Sequence, residues 1–179
     1  MNIIVLDLEA SCWDNSQRIP REESEIIEIG AVKLNQDYEI LEEFDTFVRP
    51  TFHPAISDYC TQLTSIKQSD VQDAPEFAEA MSKFETWCGE DVLFMSWGFY
   101  DKSQIIRECN RKRYKGKMPQ LITNHISAKH KIMALENLGK LSFGAVLKRF
   151  KLEFEGTPHR GIDDTRNIVK VVKLYRGRL

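Results

Sequence analysis

The sequence predicts an α/β fold in which a mixed sheet, antiparallel over its first three strands and parallel afterwards, is flanked by helices. Three β-rich apolar runs come first, at residues 3–8, 26–34 and 40–48. Amphipathic helical patterns follow, and a further apolar run at residues 92–96 lies between two of these helices. Strands that alternate with helices along a chain are typical of α/β sheets. No linker, repeat or low-complexity tract divides the sequence, so residues 1–179 are predicted to form a single domain.

Each of the three opening runs has the pattern of a strand. The first is a continuous run of β-branched and aliphatic side chains, which indicates a central strand buried on both faces. Only a short polar segment, residues 35–37, separates the second run from the third, so these two are predicted to form a hairpin. Pro50 ends the third strand, because proline has no N–H to donate to a ladder.

The helices are predicted from apolar side chains that recur every three or four residues. One such stripe, which we assign to the core, consists of Phe77, Ala80, Met81, Phe84, Trp87 and Cys88. A second helix, residues 101–114, leaves the fourth strand. A third is predicted to run to residue 150 from Ser142, a residue type that favours the N-cap. The last helix covers residues 163–175.

Composition and charge exclude several classes of protein. Hydrophobic residues make up 42% and charged residues 29% of the chain, which is close to the globular average and unlike disordered chains. The formal net charge of −2 provides no overall attraction for nucleic acid, so such binding would depend on local patches. The four cysteines include no CxxC pair, which argues against a zinc knuckle. Because the N-terminal apolar run is too short for a signal peptide or a membrane span, we expect a soluble, cytoplasmic protein.

The first candidate site residues lie at the end of the first strand. Asp7 and Glu9 are two residues apart, so on a strand both carboxylates face one way and Leu8 faces the other. Like charges this close repel each other, and a divalent cation such as Mg²⁺ or Mn²⁺ is the simplest compensation. The alternative is a solvated strand end that carries two ordinary acids.

Asp101 follows the fourth strand, at a position where a helix N-cap is expected. An ordinary capping role is one interpretation. However, Asp101, Ile105 and Cys109 are spaced by four residues, so the acid continues the apolar face of its helix. An acid on an inward face requires a partner.

Two neighbouring aspartates open the last helix, and helical periodicity separates them. Asp164 shares a mostly apolar face with Ile168 and Val171, whereas Asp163 shares a polar face with Asn167. We therefore predict that Asp164 is the inward acid and that Asp163 is a cap or a solvated neighbour.

The order of these fragments resembles that of the DEDDh exonucleases: D-x-E on the first strand, an aspartate after the fourth strand, and H-x-x-x-x-D at the last helix. Within this family, the chain is similar to the branch that contains histone-mRNA 3′ exonucleases and bacterial inhibitors of a sporulation-kinase pathway. The segments that carry the similarity are residues 7–13, 25–32, 63–66, 96–98 and 159–164. The resemblance covers nearly the whole chain. It implies a ribonuclease-H-like fold and metal-dependent hydrolysis of nucleic acid from the 3′ end to nucleoside 5′-monophosphates.

The resemblance also implies a role for each acid. Asp7 would bridge two divalent ions, Mg²⁺ or Mn²⁺, while Glu9 and Asp164 would complete the shell of one ion and Asp101 would reach the other. His159 matches the general base, a role that suits histidine because its side chain changes protonation near neutral pH. Two such ions can activate water and stabilise both the attacking and the leaving oxygen.

Other residues are expected to contact the substrate. The positions that match contacts to the terminal nucleotide are Glu9, Ala10, Leu63, Thr64 and His159. Ser65 stands where this branch often has glycine, which could alter how the terminal nucleotide approaches. Trp97 either stacks on a base, as aromatic side chains do in single-strand binding, or packs in the core.

The densest basic segment, from Arg107 to Lys117, either follows the phosphates of a strand or is a solvated helix end. His125 and His130 have no convincing set of co-ligands and are expected at the surface.

The sequence therefore favours a metal-dependent 3′–5′ exonuclease that acts on single-stranded ends, RNA in preference to DNA. One alternative is a DNA-directed exonuclease of the proofreading type. A second is a regulator that keeps the fold and the metal site but acts by binding a protein partner; such a partner could also target an active enzyme. Metal-dependent release of nucleotides distinguishes an enzyme from a regulator.

Overall fold

The computed structural model describes residues 1–139 and 141–179. Within them, a five-stranded sheet has the order β3-β2-β1-β4-β5. The strands are β1 (Asn2–Ala10), β2 (Ile26–Leu34), β3 (Ile40–Phe47), β4 (Val92–Ser96) and β5 (His125–Ser127). β2 pairs antiparallel with both β1 and β3, whereas β4 pairs parallel with β1 and β5. The predicted mixed sheet is confirmed. β5 had no strand signal of its own, because it has only three residues.

Eight α-helices lie in the same described residues. They are α1 (Asp58–Thr64), α2 (Gln68–Val71), α3 (Phe77–Cys88), α4 (Tyr100–Arg111), α5 (Met118–Leu121), α6 (Ala128–Leu135), α7 (Phe143–Arg149) and α8 (Gly161–Lys173). Ser142 caps α7 as predicted, because its Oγ accepts the N–H of Ala145. No helix of the described ranges is both long and apolar enough to cross a membrane.

Alternation along β1 divides the core into two layers. Ile4, Leu6 and Leu8 belong to a cluster covered by α3 and α4. Ile3 and Val5 belong to the cluster on the opposite face, which α6, α7 and α8 cover. Because both faces of β1 are buried, residues 3–6 of this strand form a continuous apolar run. Asp7 and Glu9, at the end of β1, lie on the same face of the strand as Ile3 and Val5.

Candidate active site

Three carboxylates meet at the carboxyl end of β1. Asp7 and Glu9 extend the row of side chains that faces α8, and Asp164 lies in the first turn of that helix. One carboxylate oxygen from each of the three lies within 4.8 Å of the others. The structure therefore brings together three of the four acids singled out in the sequence.

A close approach of α8 to the sheet places Asp164 in this group. A methyl group at Gly30 on β2 would lie 2.1 Å from the carbonyl carbon of Gly161, so this contact requires glycine. Thr165 reinforces the contact, because its Oγ1 donates to the carbonyl oxygen of Gly30 at 3.0 Å. With the start of α8 against β2, a residue less than one turn into the helix reaches the neighbouring strand β1.

Asp101 lies beside this group but outside it. The pairing of β4 with β1 ends at Val5, so the edge of β1 beyond that residue has lost its strand partner. The buried carboxylate of Asp101 accepts the N–H of Leu8 on this edge, at 3.2 Å. The sequence suggested that Asp101 is the N-cap of its helix, and this prediction is wrong. Asp101 is the second residue of α4, because that helix begins one residue earlier, and Phe99 occupies the N-cap position.

Burial of so much negative charge shifts the acids toward the neutral form. Burial, with the nearby charges of Asp101 and Glu9, raises the pKa of Asp7 well above its ordinary value. Burial and the charge of Asp164 raise the pKa of Glu9 to about 9. Burial likewise raises the pKa of Asp101 to about 6. Clustered carboxylates in a low-dielectric site are stabilised by a cation, and oxygen ligands are the kind that hard divalent ions prefer. The group fits a divalent metal ion.

His159 lies in the loop that leads into α8. Its side chain is exposed, and its backbone has a φ of 62°, a left-handed conformation that is uncommon outside glycine. The backbone N–H of His159 donates to a carboxylate oxygen of Asp164 at 2.7 Å. Burial raises the pKa of Asp164, and this hydrogen bond and the charge of His159 partly offset the rise. The candidate base therefore contacts the acidic group through its own backbone.

A buried glutamate that sequence reasoning missed holds this loop. Glu28 on β2 is fully buried and accepts hydrogen bonds from Arg160 and from the N–H of Gly161. A glutamate flanked by isoleucines within β2 was the signal for it.

Asp163 plays a different part from Asp164. Its carboxylate accepts the N–H of Thr157 at 2.9 Å and pairs with Arg166 at 3.0 Å. It therefore bonds to the preceding loop and lies outside the acidic group.

A cavity of about 580 Å³ opens next to Glu9. It is lined by Leu8, Glu9, Ala10, Ser11, Cys12, Trp13, Asp14, Arg18, Ile19, Arg21, Ser24, Tyr59, Leu63 and Tyr100. Thr64, which the resemblance places at the terminal nucleotide, is not among the residues that line this cavity. This side chain is buried, where its Oγ1 donates to the carbonyl oxygen of Cys60 at 2.9 Å. Ser65 ends α1 with a φ of 64°, the conformation that makes glycine common at such positions.

Trp97 lies away from this cavity. Its ring packs edge-to-face on Phe143, with ring centroids 4.7 Å apart, in the core layer on the α7 side of the sheet. This placement favours the core-packing interpretation and gives no support to a base-stacking role. Two residues that sequence reasoning missed, Tyr59 and Tyr100, line the cavity instead and are 44% and 36% exposed. The position of Tyr100 directly before Asp101 was a signal that could have identified it.

The basic segment after residue 106 is largely committed to contacts within the chain. The Lys112 ammonium group lies 2.7 Å from buried Glu25 and 3.2 Å from buried Glu108. Arg111 donates to backbone carbonyl oxygens of the loop before β2, and Lys117 pairs with Glu90. These contacts favour the interpretation of this segment as a helix end over that of a free phosphate-binding groove.

The mixed sheet, with carboxylates gathered at the end of its central strand, is the arrangement of a ribonuclease-H-like fold. A family model described as Exonuclease (RNase_T) matches residues 4–172, so the chain belongs to this exonuclease family.

Two groups of relatives and one solved structure illustrate the similarity. ERI1 exoribonuclease 2 of Xenopus laevis is 30% identical over 94% of this chain and 27% of the relative. ERI1 exoribonuclease 3 of Homo sapiens is 31% identical over 97% of this chain and 54% of the relative. The chain thus spans about a quarter to a half of the length of these relatives. The nuclease domain of 3′hExo, a DEDDh family member bound to rAMP, is 27% identical with a TM-score of 0.88, covering 97% of this chain and 90% of that one.

Proposed function

We propose that this chain is a metal-dependent 3′–5′ exonuclease that removes nucleoside 5′-monophosphates from single-stranded 3′ ends, RNA in preference to DNA. One observation carries the proposal: Asp7, Glu9 and Asp164 gather within 4.8 Å. Glu9 also lines the adjacent cavity, so this arrangement can hold a metal ion beside a bound nucleotide. The family model covers most of residues 1–179, which supports a single catalytic domain.

The four acids would hold two ions, Mg²⁺ or Mn²⁺, with Asp7, Glu9 and Asp164 in one group and Asp101 beside them. Such ions neutralise charge on the phosphodiester and activate a water molecule. His159 would accept the proton of that water as its oxygen attacks phosphorus. The bond from phosphorus to the 3′ oxygen of the preceding nucleotide then breaks, and the released product keeps its 5′ phosphate.

The cavity would hold the terminal nucleotide. Tyr59 and Tyr100 supply aromatic rings, and base stacking on such rings contributes about 1–3 kcal/mol per base. Ala10 and Leu63 line the same space, and Glu9 joins it to the acidic group. The preference for RNA is supported by relatives that are named exoribonucleases and by a structural neighbour bound to rAMP.

Four free cysteines agree with a reducing, cytoplasmic location.

Incubation with 5′-labelled single-stranded RNA and DNA of matched sequence, with Mg²⁺, Mn²⁺ or a chelator, tests this function. We expect a ladder of products shortened one nucleotide at a time, release of 5′-monophosphates, faster loss of RNA, and no reaction with the chelator. Faster loss of DNA would favour the proofreading-type alternative. No release with either metal would contradict an exonuclease and favour a regulator that binds a protein partner.

A further inference from the structure

Two consecutive aromatic residues at the start of α4 face different surroundings. Tyr100 lines the cavity beside Glu9. Phe99 does not line it and is 50% exposed, and its ring packs on that of His130, with centroids 4.8 Å apart and an interplanar angle of 31°. Asp101 is only two residues from Phe99, at most about 8 Å of backbone. An exposed aromatic surface thus begins two residues from Asp101, apart from the cavity.

We call this surface, which consists of Phe99, His125 and His130, the aromatic ledge. Serine side chains at the ends of two strands hold its two histidines. Ser96 Oγ lies 2.9 Å from Nε2 of His125, and Ser127 Oγ lies 2.7 Å from Nδ1 of His130. The sequence suggested that His125 is a surface residue, but its side chain is half-buried. His130 is exposed, and the serine contact leaves its Nε2 for a ligand.

Positive charge accompanies the aromatic ledge. Lys102 lies on α4. Burial of His125 lowers the pKa of its imidazole, and the positive charge of Lys102 lowers it further. Lys129 and Lys131 flank His130 on α6. Among the described residues, none of these three ammonium groups is in an ion pair, in contrast to Lys112 and Lys117, and Lys102 Nζ donates to the carbonyl oxygen of Thr123 at 3.2 Å. Aromatic rings beside cationic groups without an acidic partner are typical of surfaces that bind single-stranded nucleic acid.

The ledge and the cavity are built from different elements. The cavity is lined by the end of β1, the loop that follows it, and α1 and α4. The ledge is completed by α6, whose buried residues belong to the core layer on the other face of the sheet. A strand with its last base in the cavity and its scissile phosphate at the carboxylates must leave in a direction away from the cavity. The ledge begins two residues from Asp101 and outside the cavity, so such a strand can reach it.

We infer that Phe99 and His130 form a second nucleobase subsite, which binds the strand upstream of the scissile phosphate and makes cleavage depend on substrate length. This inference rests on the proposed function. The lysines would contact the phosphates between the bound bases, and the exposed face of the Phe99 ring would stack on a base.

The test compares two substrates in the presence of Mn²⁺. The p-nitrophenyl ester of thymidine 5′-monophosphate contains no upstream nucleotide, whereas oligoadenylates of two to eight nucleotides extend onto the ledge. For Phe99→Ala we expect kcat/KM on the longer oligonucleotides to fall about 5- to 10-fold, the lower part of the range for base stacking, because the ring is already half-covered. Hydrolysis of the ester should be unchanged. Phe99→Trp should restore the rate and Phe99→Leu should not, because only the former keeps an aromatic face.

Leu174→Ala is the matched control, since Leu174 is 53% exposed and follows the far end of α8. It should change neither activity. Equal losses on the ester and on the oligonucleotides would show that Phe99 acts by holding Asp101, and would overturn the subsite. An unchanged length dependence in Phe99→Ala would overturn it as well, while leaving the exonuclease intact. A wild-type protein that cleaves neither substrate would overturn the proposed function and this inference together.

Discussion

The carboxylate of Glu28 holds the guanidinium group of Arg160 from within the sheet. Its Oε1 accepts hydrogen bonds from Nε and Nη2 of Arg160 at 3.1 and 2.9 Å, and its Oε2 accepts the N–H of Gly161 at 2.8 Å. Arg160 follows His159 and occupies the N-cap position of α8, the helix that carries Asp164. One buried carboxylate thereby fixes both the loop of the candidate base and the start of the helix that carries a candidate metal ligand.

Loss of this contact should reduce turnover without changing any residue that touches substrate. Glu28→Gln removes the charge from the pair and should lower kcat about 10- to 100-fold, the usual effect of a residue that orients a metal ligand. KM should change little, because the cavity is untouched. Glu43→Gln is the control, since Glu43 pairs with Arg166 at the surface. A lowered melting temperature with unchanged kcat in the folded enzyme would assign Glu28 a structural role only.

The two neighbouring aspartates of α8 should differ sharply in their effect on activity. Asp164→Asn should abolish turnover, because this carboxylate belongs to the acidic group. Asp163→Asn should spare most of it, since that side chain binds only the loop and Arg166. Nucleotide release with labelled RNA and Mn²⁺ measures both variants. Equal losses would contradict the assignment of their faces.

His159→Ala should lower the rate about 10²- to 10⁴-fold, the usual contribution of a positioned acid–base group. Binding of Mn²⁺, followed by calorimetric titration, should persist, because the proposal makes His159 a proton acceptor and not a ligand. The backbone N–H that donates to Asp164 remains in this variant. Loss of metal affinity, or near-normal activity, would show that His159 is not the base.

Substitution of Trp97 should reduce stability, whereas substitution of Tyr100 should weaken nucleotide binding. Trp97→Ala should lower the free energy of unfolding by about 3 kcal/mol, the lower end for a large aromatic in a core, because the ring is partly exposed. Tyr100→Ala should weaken nucleoside monophosphate binding by about 1–3 kcal/mol with little change in stability. Thermal unfolding and a binding titration with Ca²⁺ in place of the active metal measure both. Weaker nucleotide binding with unchanged stability in Trp97→Ala would instead assign base stacking to Trp97.

Stability without metal should fall as pH rises. Burial raises the pKa of Asp101 to about 6 and that of Glu9 to about 9 in the folded protein, above ordinary values of 3.8 and 4.5. Between the unfolded and folded pKa values the folded state binds more protons, so raising the pH from about 4 to about 9 destabilises it. Added Mn²⁺ should remove most of this dependence, because the cation stabilises the ionised carboxylates.

Asp164→Asn should also reduce that pH dependence, because the charge of Asp164 helps to raise the pKa of Glu9. Asp163→Asn is the control and should retain the wild-type slope. Melting temperatures measured across this pH range at constant ionic strength give the result. A metal-free protein whose stability did not fall toward pH 9 would contradict the buried acidic group.

The sequence by itself determined the fold class and the facing of the acids within each element. Side-chain direction repeats every two residues on a strand and about every 3.6 on a helix. Local spacing was therefore enough to place Asp7 and Glu9 on one face of β1 and to separate Asp164 from Asp163. The catalytic and metal-binding roles came from the family resemblance, and they stay predictions.

Only the tertiary structure decided which side chains meet. Contact between Gly30 and Gly161 brings Asp164 to β1, and Asp101 reaches a backbone N–H that lies 93 residues away in sequence. The packing of distant elements also places Trp97 against the core and Tyr100 at the cavity, although the two residues are only three positions apart. Periodicity specifies which way a residue faces in its own element. The neighbour that it meets depends on how distant elements pack, and no local pattern contains that information.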